Sequence, residues 1–316
     1  MKQRELRHIG ILTSGGDAPG MNACIRAVVR TATARGIEVL GFKRGYAGLL
    51  AGDSVRLGPR SVSNVIQHGG TFLGTSRCEE MKTVEGRKIA LDMLEKEKVD
   101  ALVTLGGDGT FRGATALAQE GHIRIIGCPC TIDNDVYGTD YTIGFDTAVN
   151  TALESIDKIR DTAMSLERLF FIEVMGRTRG FIALEVGIAG GADHVLVPEI
   201  KADLDKLSRE LHQHVHGQNR SAIVIVAEGE RPGGAVEIGR QVGTRLGLEY
   251  RVCVLGHVQH GGAPTARDRL LASKLGAAAV NALVECKVGF MVGQVNGRVT
   301  YTPLRDTWEK VKDLDA

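Results

Sequence analysis

Short apolar segments of β-strand character alternate with helical segments along the chain, and this alternation constrains the fold more than any other feature. The run His8–Thr13 passes through the glycine loop Ser14–Gly20 into a predicted helix over Met21–Ala34. The other predicted strands are Ile37–Phe42, Ala101–Leu105, Ile123–Gly127, Leu169–Val174, His194–Val197, Ala222–Ala227, Arg251–Leu255 and Gly289–Gln294. The other predicted helices are Gly86–Lys98, a segment from Phe111, Thr147–Met164, Gly180–Ile188, Leu204–His216, Ala235–Leu246 and Thr265–Glu285. Buried strands separated by helices predict a parallel sheet with helices on both faces.

Length and composition narrow the classes of function. At 316 residues the chain exceeds the size at which one core stops growing, so two lobes are expected. The net charge of +1 is not the excess of positive charge that is typical of proteins that bind nucleic acid or anionic membranes. The expected partners are therefore small molecules and other copies of the chain. No long apolar segment or signal peptide is evident, which predicts a cytoplasmic protein. The six cysteines form no C-x-x-C pair and are expected to be free thiols.

The stretch Thr104–Thr110, Thr-Leu-Gly-Gly-Asp-Gly-Thr, has the character of a phosphate and metal cradle at the end of a strand. Bare backbone at its glycines can approach phosphate oxygens, and the following helix would turn its free N–H groups toward the same anion. Asp108 would hold Mg²⁺, which prefers one or two carboxylates plus substrate phosphates. A purely structural turn is the alternative, and lipid and dinucleotide kinases use a similar run.

Ligands of parallel α/β sheets bind at the carboxyl ends of the strands. The loops Gly15-Gly16, Gly106–Gly109 and Pro129–Asp135 all follow predicted strands, so we expect them on one rim. In the third loop, Asp133 and Asp135 suit a division of labour in which one carboxylate takes a hydroxyl proton and the other orients a metal. Asp-Asn-Asp is also a common turn sequence whose side chains cap their own backbone.

Arginines at loop entrances are the remaining polar signal. The guanidinium groups of Arg77, Arg168, Arg177 and Arg251 would supply the planar donor forks that sugar phosphates and transferring phosphoryl groups need, although each alone could be a surface residue. Glu228 ends a predicted strand, where it could bind sugar hydroxyls or cap a helix.

Seven motifs, in order, resemble those of the bacterial 6-phosphofructokinases. They are Thr13–Asn22, Gly70–Thr75, Gly106–Thr110, Thr131–Asp135, Gly138–Phe145, Glu173–Arg177 and Leu255–His257. The resemblance implies two three-layer αβα lobes with mostly parallel sheets and an active-site cleft between them. It implies a larger, nucleotide-binding lobe over 1–143 plus 257–305 and a smaller, sugar-phosphate-binding lobe over 144–256 plus 306–316.

The resemblance also implies roles for individual residues. Asp133 would be the general base that takes the proton of the 1-hydroxyl of fructose 6-phosphate, with Asp108 and Asp135 serving Mg²⁺. The catalytic set would be Asp133, Arg77, Thr131, Asp135 and Arg177. The ATP-binding set would be Gly16, Tyr46, Arg77, Cys78, Gly107, Asp108, Gly109, Thr110 and Gly113. The sugar-phosphate set would be Thr131, Asp133, Asp135, Arg168, Met175, Gly176, Arg177, Glu228, Arg251, His257 and His260. Arg168 and Arg251 would complete a neighbouring subunit's site, so at least a homodimer, and typically a homotetramer, is expected.

The sequence departs from the family at positions that affect the phosphoryl donor and the sugar phosphate. Cys130 stands where ATP-dependent members usually have Gly and pyrophosphate-dependent members Lys. A thiol adds modest bulk and no charge, and Gly109 stands where pyrophosphate-dependent relatives commonly have Asp, so ATP is predicted and pyrophosphate, or mixed donor use, is the alternative. His260 replaces an arginine that helps to bind the 6-phosphate, which suggests weaker or pH-sensitive sugar-phosphate binding.

An effector site is only partly represented. Arg26, Arg30 and Arg160 match basic positions of the family's allosteric cleft, whereas Pro59 replaces an arginine and Asn219-Arg220 supplies one cation where two are usual. A relative that binds sugar phosphate without catalysis is a further alternative, against which the intact Asp108, Asp133 and Asp135 count.

Overall fold

A computed structural model describes residues 5–121, 123–216, 221–247 and 249–315. The strands are β1 (His8–Thr13), β2 (Glu38–Phe42), β3 (Ser54–Leu57), β4 (Ala101–Gly106), β5 (Arg124–Pro129), β6 (Leu169–Val174), β7 (His194–Leu196), β8 (Ala222–Ala227), β9 (Tyr250–Val254), β10 (Phe290–Val295) and β11 (Arg298–Pro303). The helices are α1 (Met21–Thr33), α2 (Gly45–Ala51), α3 (Val84–Lys96), α4 (Asp108–Gly121), α5 (Phe145–Leu166), α6 (Phe181–Ala189), α7 (Leu204–His216), α8 (Gly234–Leu246), α9 (Ala266–Val284) and α10 (Asp306–Glu309).

The described residues divide into two compact units. The first unit draws on 1–132, 136–146 and 260–312, and the second unit on 133–135, 147–259 and 313–316. These bounds differ from the lobes expected from the sequence in four segments. The second unit includes 133–135 and 257–259, and the first unit includes 144–146 and 306–312. The last difference arises because Leu304 and Trp308 pack on the core of the first unit.

The first unit is built on one mixed sheet whose described strands lie in the order β11-β10-β5-β4-β1-β2-β3. Its five inner strands are parallel, and the antiparallel strands β3 and β11 form the edges. Strand β4 is buried along its whole length, as the apolar run Ala101–Leu105 predicts for a strand covered on both faces. The carboxyl ends of β1, β4 and β5 are therefore neighbours on one edge.

The second unit has a parallel sheet whose described strands lie in the order β7-β8-β6-β9. Helices α7 and α8 pack on it through apolar side chains that include Leu207, Leu211 and Ile238. The predicted α/β class with mostly parallel sheets is confirmed. No helix in the described ranges is both long and apolar enough to cross a membrane.

Candidate active site

Three loops at the carboxyl edge of the first sheet are fastened to one another by hydrogen bonds. The N–H of Ser14 donates to the carbonyl of Leu105 at 3.0 Å, and the N–H of Cys130 donates to that of Gly106 at 3.0 Å. The Thr110 hydroxyl donates to the Ser14 carbonyl at 2.9 Å. The prediction that these loops share one rim is confirmed within the first unit, and their backbone is held firmly enough to act as a preformed cradle.

The glycines of the cradle differ in what surrounds them. A β-carbon on Gly106 would lie 2.3 Å from Thr110 Oγ1 and 2.5 Å from the Ser14 carbonyl, so any larger residue here would push these groups apart. A β-carbon on Gly107 would come no closer than 3.8 Å to Thr131, and one on Gly109 would meet nothing within 4 Å. Gly107 and Gly109 therefore leave open space next to bare backbone, as close approach by a ligand requires.

Helix α4 begins at Asp108, three residues before the predicted start at Phe111. Asp108 is thus a first-turn acid at the positive end of the helix, where a carboxylate is favourable. Its side chain is 41% exposed and lies 3.6 Å from Arg112 Nε, whose guanidinium stacks 5.2 Å from the Trp308 ring. Arg112 was not among the predicted site residues, although its i,i+4 spacing from Asp108 is visible in the sequence.

Tyr46 contacts the cradle at Thr110, and Gly113 packs on the Tyr46 ring. The buried Tyr46 hydroxyl donates to the Thr110 carbonyl at 2.7 Å, and burial raises the pKa of this phenol. A β-carbon on Gly113 would lie 3.1 Å from the Tyr46 ring, so a larger residue would displace the ring.

Another loop, from Gly70 to Cys78, contacts the loop that follows β1. The Thr75 hydroxyl donates to the Gly15 carbonyl at 2.8 Å, and the Thr13 hydroxyl donates to the Gly74 carbonyl at 2.8 Å. Arg77 is exposed at the end of this loop. The Cys78 thiol donates to Glu80 at 3.4 Å, and partial burial raises the pKa of Cys78.

The Cys130 side chain is buried within the first unit. It is 1% exposed and lies within hydrogen-bonding reach of Cys24 on α1, and burial raises the pKa of the Cys130 thiol. The sequence predicts that this thiol adds modest bulk and no charge at the donor site, and its effect on donor choice stays a prediction. Gly16 is exposed, and its neighbour Asp17 accepts from His260 Nδ1 through its carbonyl at 2.8 Å.

The carbonyl of Asp17 can only accept, so His260 carries its proton on Nδ1 in this arrangement. His260 lies in the first unit, where it contacts the loop that follows β1. His257, in contrast, is an exposed residue of the second unit. Thr131 also lies in the first unit, where its carbonyl accepts from the Thr142 hydroxyl at 2.6 Å.

In the second unit, the carboxyl ends of β8, β6 and β9 lie side by side and carry another set of predicted residues. The N–H of Glu228 donates to the carbonyl of Val174 at 3.0 Å, which aligns the loop after β8 with the loop after β6. The N–H of Leu255 donates to the carbonyl of Glu173 at 3.0 Å, which does the same for the loop after β9. Met175, Gly176, Arg177 and Glu228 are therefore brought together.

Asp133 is a nearly buried carboxylate with a cationic neighbour. Its side chain is 7% exposed, and its Oδ2 lies 3.2 Å from Arg177 Nε. Arg177 has a left-handed backbone with φ of +54°, and its N–H donates to Glu228 Oε1 at 2.7 Å. The N–H of Arg179 donates to the carbonyl of the buried Gly176 at 2.9 Å and closes the turn. Asp135 follows as a half-buried residue.

Gln259 is a residue of this site that sequence reasoning missed. Its side chain is fully buried, and its Oε1 accepts the N–H of Met175 at 2.9 Å. The only sequence signal is its place between His257 and His260, which gives no indication of a contact with the loop after β6.

Arg168 and Arg251 lie at the opposite edge of the second sheet. Arg168 directly precedes β6 and Arg251 is the second residue of β9, and both contact Glu249, Arg168 at 3.4 Å. Six residues of strand, about 20 Å at about 3.3 Å per residue, separate this edge from the loop that carries Arg177. These arginines are therefore not brought together with Arg177 in one chain.

The three arginines predicted for an effector site lie on helices α1 and α5. Arg26 is half-buried and Arg30 exposed on α1. The Arg160 guanidinium donates to the carbonyls of Gly190 and Gly191 at 2.5 and 2.7 Å, after the end of α6. Asn219 and Arg220 lie outside the described residues.

Comparisons with known proteins agree with one another. A family model described as phosphofructokinase matches residues 8–283. The chain is 57% identical over 310 residues to the ATP-dependent 6-phosphofructokinase 1 of Thermus thermophilus, covering 98% of this chain and 96% of that protein. It is 52% identical over 302 residues to the ATP-dependent 6-phosphofructokinase of Coxiella burnetii, covering 96% and 92%.

Solved structures show the same fold. The Saccharomyces cerevisiae phosphofructokinase matches with a TM-score of 0.89 at 36% identity, over 95% of this chain and 45% of the longer yeast chain. The pyrophosphate-dependent phosphofructokinase of Marinobacter aquaeolei matches with a TM-score of 0.87 at 23% identity, over 98% and 85%.

Proposed function

The chain belongs to the phosphofructokinase family, and we propose that it is an ATP-dependent 6-phosphofructokinase, which converts fructose 6-phosphate to fructose 1,6-bisphosphate in glycolysis. The observation that carries the chemical assignment is the nearly buried Asp133 carboxylate, 3.2 Å from Arg177 at the carboxyl edge of the second sheet. The contact with Arg177 holds this carboxylate in one orientation, as a positioned general base requires.

Asp133 takes the proton of the sugar 1-hydroxyl as the new P–O bond forms. General-base catalysis of this kind contributes about 10²- to 10⁴-fold. Arg177, oriented by Glu228 and by its own left-handed backbone, keeps the Asp133 carboxylate in place and presents remaining donors to the sugar phosphate. Thr131, Asp135, Met175, Gly176, Glu228, His257 and His260 complete the sugar-phosphate set in this proposal.

The nucleotide is assigned to the cradle of the first unit. The open backbone at Gly107 and Gly109, together with the amino end of α4, offers N–H donors to its phosphates. Arg77, exposed at its loop end, neutralises charge on the transferred phosphoryl group. Gly16, Cys78 and Thr110 line the cradle, and Tyr46 and Gly113 hold its floor.

The carboxylate side chain at the proposed nucleotide site fits Mg²⁺. Asp108 is a partly exposed oxygen ligand, and the described residues contain no cluster of three His, Cys, Asp or Glu side chains that would hold an ion by itself. Mg²⁺ usually binds in this way, through one or two carboxylates plus substrate phosphates. Asp108 would hold the ion, and a bound Mg²⁺ would screen the phosphate charge.

ATP is the proposed donor for two local reasons. Gly109 leaves its surroundings open, and Cys130 is buried against α1 and so takes no space from the nucleotide. The placement of Arg168 and Arg251 supports self-association, to a homotetramer or at least a homodimer, in which these arginines serve another chain's sugar phosphate. We also propose a cytoplasmic location and no nucleic acid or membrane partner, in keeping with the even charge balance.

A donor-resolved assay tests this proposal. The purified protein, with Mg²⁺ and fructose 6-phosphate, is expected to show a much higher kcat/KM with ATP than with pyrophosphate. The variant Asp133→Ser is expected to lose about 10²- to 10⁴-fold in kcat with nearly unchanged ATP binding, because it lacks the base but keeps the cradle. A preference for pyrophosphate would overturn the choice of donor, and sugar-phosphate binding without turnover on either donor would identify a non-catalytic relative.

A further inference from the structure

Gln259 lies in a short 3₁₀ turn over Gly256–His260, directly after β9. Within the described part of the chain, its Nε2 is the one buried side-chain nitrogen or oxygen without a hydrogen-bond partner. The orientation of the carboxamide is nevertheless determined, because the N–H of Met175, 2.9 Å away, requires the oxygen and not the NH₂ group.

The unpartnered Nε2 indicates that Gln259 is not simply filling the core. A buried donor without an acceptor costs about 1–3 kcal/mol, and an apolar side chain of the same shape would avoid that cost. The feature that an apolar side chain would lack is the acceptor for Met175. The unpaired Nε2 therefore costs free energy, and the hydrogen bond from the Met175 N–H to Oε1, which holds the loop, is what the amide contributes in return.

That loop leads directly to Arg177, two residues after Met175. Its backbone is held by two side-chain acceptors: Gln259 accepts from Met175 at 2.9 Å, and Glu228 accepts from Arg177 at 2.7 Å. Between these two anchors the chain enters the left-handed conformation at Arg177, which non-glycine residues rarely adopt unless the surroundings enforce it. Arg177 Nε lies 3.2 Å from Asp133 Oδ2, at the end of the segment that these two acceptors hold.

We propose that Gln259 is a positioning residue for the sugar-phosphate site, holding the Met175–Arg177 loop through the Met175 N–H so that Arg177 meets Asp133. The inference rests on the proposed function. It assigns to Gln259 no contact with substrate; the side chain acts through the backbone of the loop.

The test replaces Gln259 by Met, which has a similar shape, no amide oxygen and no unpartnered donor. We expect the KM for fructose 6-phosphate to rise about tenfold, the effect of losing one well-placed hydrogen bond, while the KM for ATP stays unchanged. The midpoint of thermal unfolding is expected to stay close to that of wild type, because the substitution removes one unpaired donor, Nε2, and leaves another, the Met175 N–H, without its acceptor. Gln241→Met is the matched control, since the Gln241 amide on α8 contacts Glu237 and not the loop.

Two further variants separate positioning from general structural damage. Gln259→Glu keeps an oxygen acceptor for Met175 and is expected to hold the fructose 6-phosphate KM within about twofold of wild type, whatever the stability of the Met variant. Adding Gln259→Met to Arg177→Ala is expected to raise that KM no further, because residues that act through one another are not additive.

An unchanged fructose 6-phosphate KM in Gln259→Met, an equal rise in both KM values, or additive effects in the double variant would overturn the inference. A wild-type protein that does not phosphorylate fructose 6-phosphate in the same assay would instead contradict the proposed function.

Discussion

Gly109 is the second residue of α4, and a β-carbon added to it would meet no atom outside its own helix backbone within 4 Å. Steric crowding therefore does not explain the glycine, whereas access of a phosphate to the backbone does. A carboxylate introduced here would fit without strain and would stand at the end of the helix that is proposed to face the nucleotide. Its effect on donor choice would come from charge.

We expect Gly109→Asp to lower kcat/KM for ATP by tenfold or more, because like charges in a partly desolvated site repel by several kcal/mol, of which about 1.4 kcal/mol suffices for tenfold. The measurement is initial rate against ATP at saturating fructose 6-phosphate. Gly109→Asn is the control, having nearly the same shape without the charge. Equal losses in both variants would contradict an electrostatic origin.

Asp133 and Arg177 show what reasoning from sequence could reach at the scale of single residues. Both were predicted from motifs, and the structure places Arg177 Nε 3.2 Å from Asp133 Oδ2. The left-handed backbone of Arg177 was not predictable, because no glycine or asparagine marks it. Gln259 was missed for a related reason: its contact with Met175 joins residues 84 positions apart.

At the scale of elements, the cradle depends on how closely β1 and α4 approach each other at Gly106. A methyl group there would lie within 2.5 Å of the Thr110 hydroxyl and the Ser14 carbonyl, two groups that hydrogen-bond each other and fasten the loops. The first turn of α4 and the loop after β1 would have to separate to make room.

Gly106→Ala is accordingly expected to lower the free energy of unfolding by about 1–3 kcal/mol, the usual cost of overpacking. Gly109→Ala, three residues along and in open space, is expected to be neutral or slightly stabilising, since alanine favours a helix. Urea unfolding of the two variants beside wild type measures the difference. Equal stability of the two would show that the loops adjust freely at Gly106.

Several elements begin and end at the residues that the sequence predicted. Strands β1, β6 and β8 and helix α7 have the predicted bounds, whereas α4 begins earlier than expected because Gly107 hides the helix start. The edge strands β3 and β11 were missed, since edges lack a fully buried run. The signal for β11 was nevertheless present: Asn296-Gly297, with φ of +49° and +76°, forms the two-residue hairpin turn between β10 and β11.

At the scale of the whole molecule, the arginines that flank the second sheet have to be explained. Arg168 and Arg251 both contact Glu249 at the amino edge, and strands β6 and β9 separate them from the carboxyl edge where Arg177 lies. Side chains of about 7 Å cannot cover a strand of about 20 Å, so within one chain the two groups cannot meet the same phosphate. If these arginines bind sugar phosphate, a second copy of the chain must supply them.

This requirement predicts complementation between two inactive variants. Asp133→Ser removes the base, and Arg251→Ala removes an arginine of the opposite edge, so each alone is expected to have low activity at limiting fructose 6-phosphate. In a mixed pair with two-fold symmetry, one site combines the intact Asp133 of one copy with the intact Arg251 of the other. Random mixing of equal amounts would therefore restore about one site in four. The variants are unfolded together, refolded and assayed beside each variant refolded alone. Activity no greater than the sum of the separate samples would place Arg251 outside a shared site, whereas recovery near a quarter of wild type would establish that each sugar-phosphate site draws on two chains.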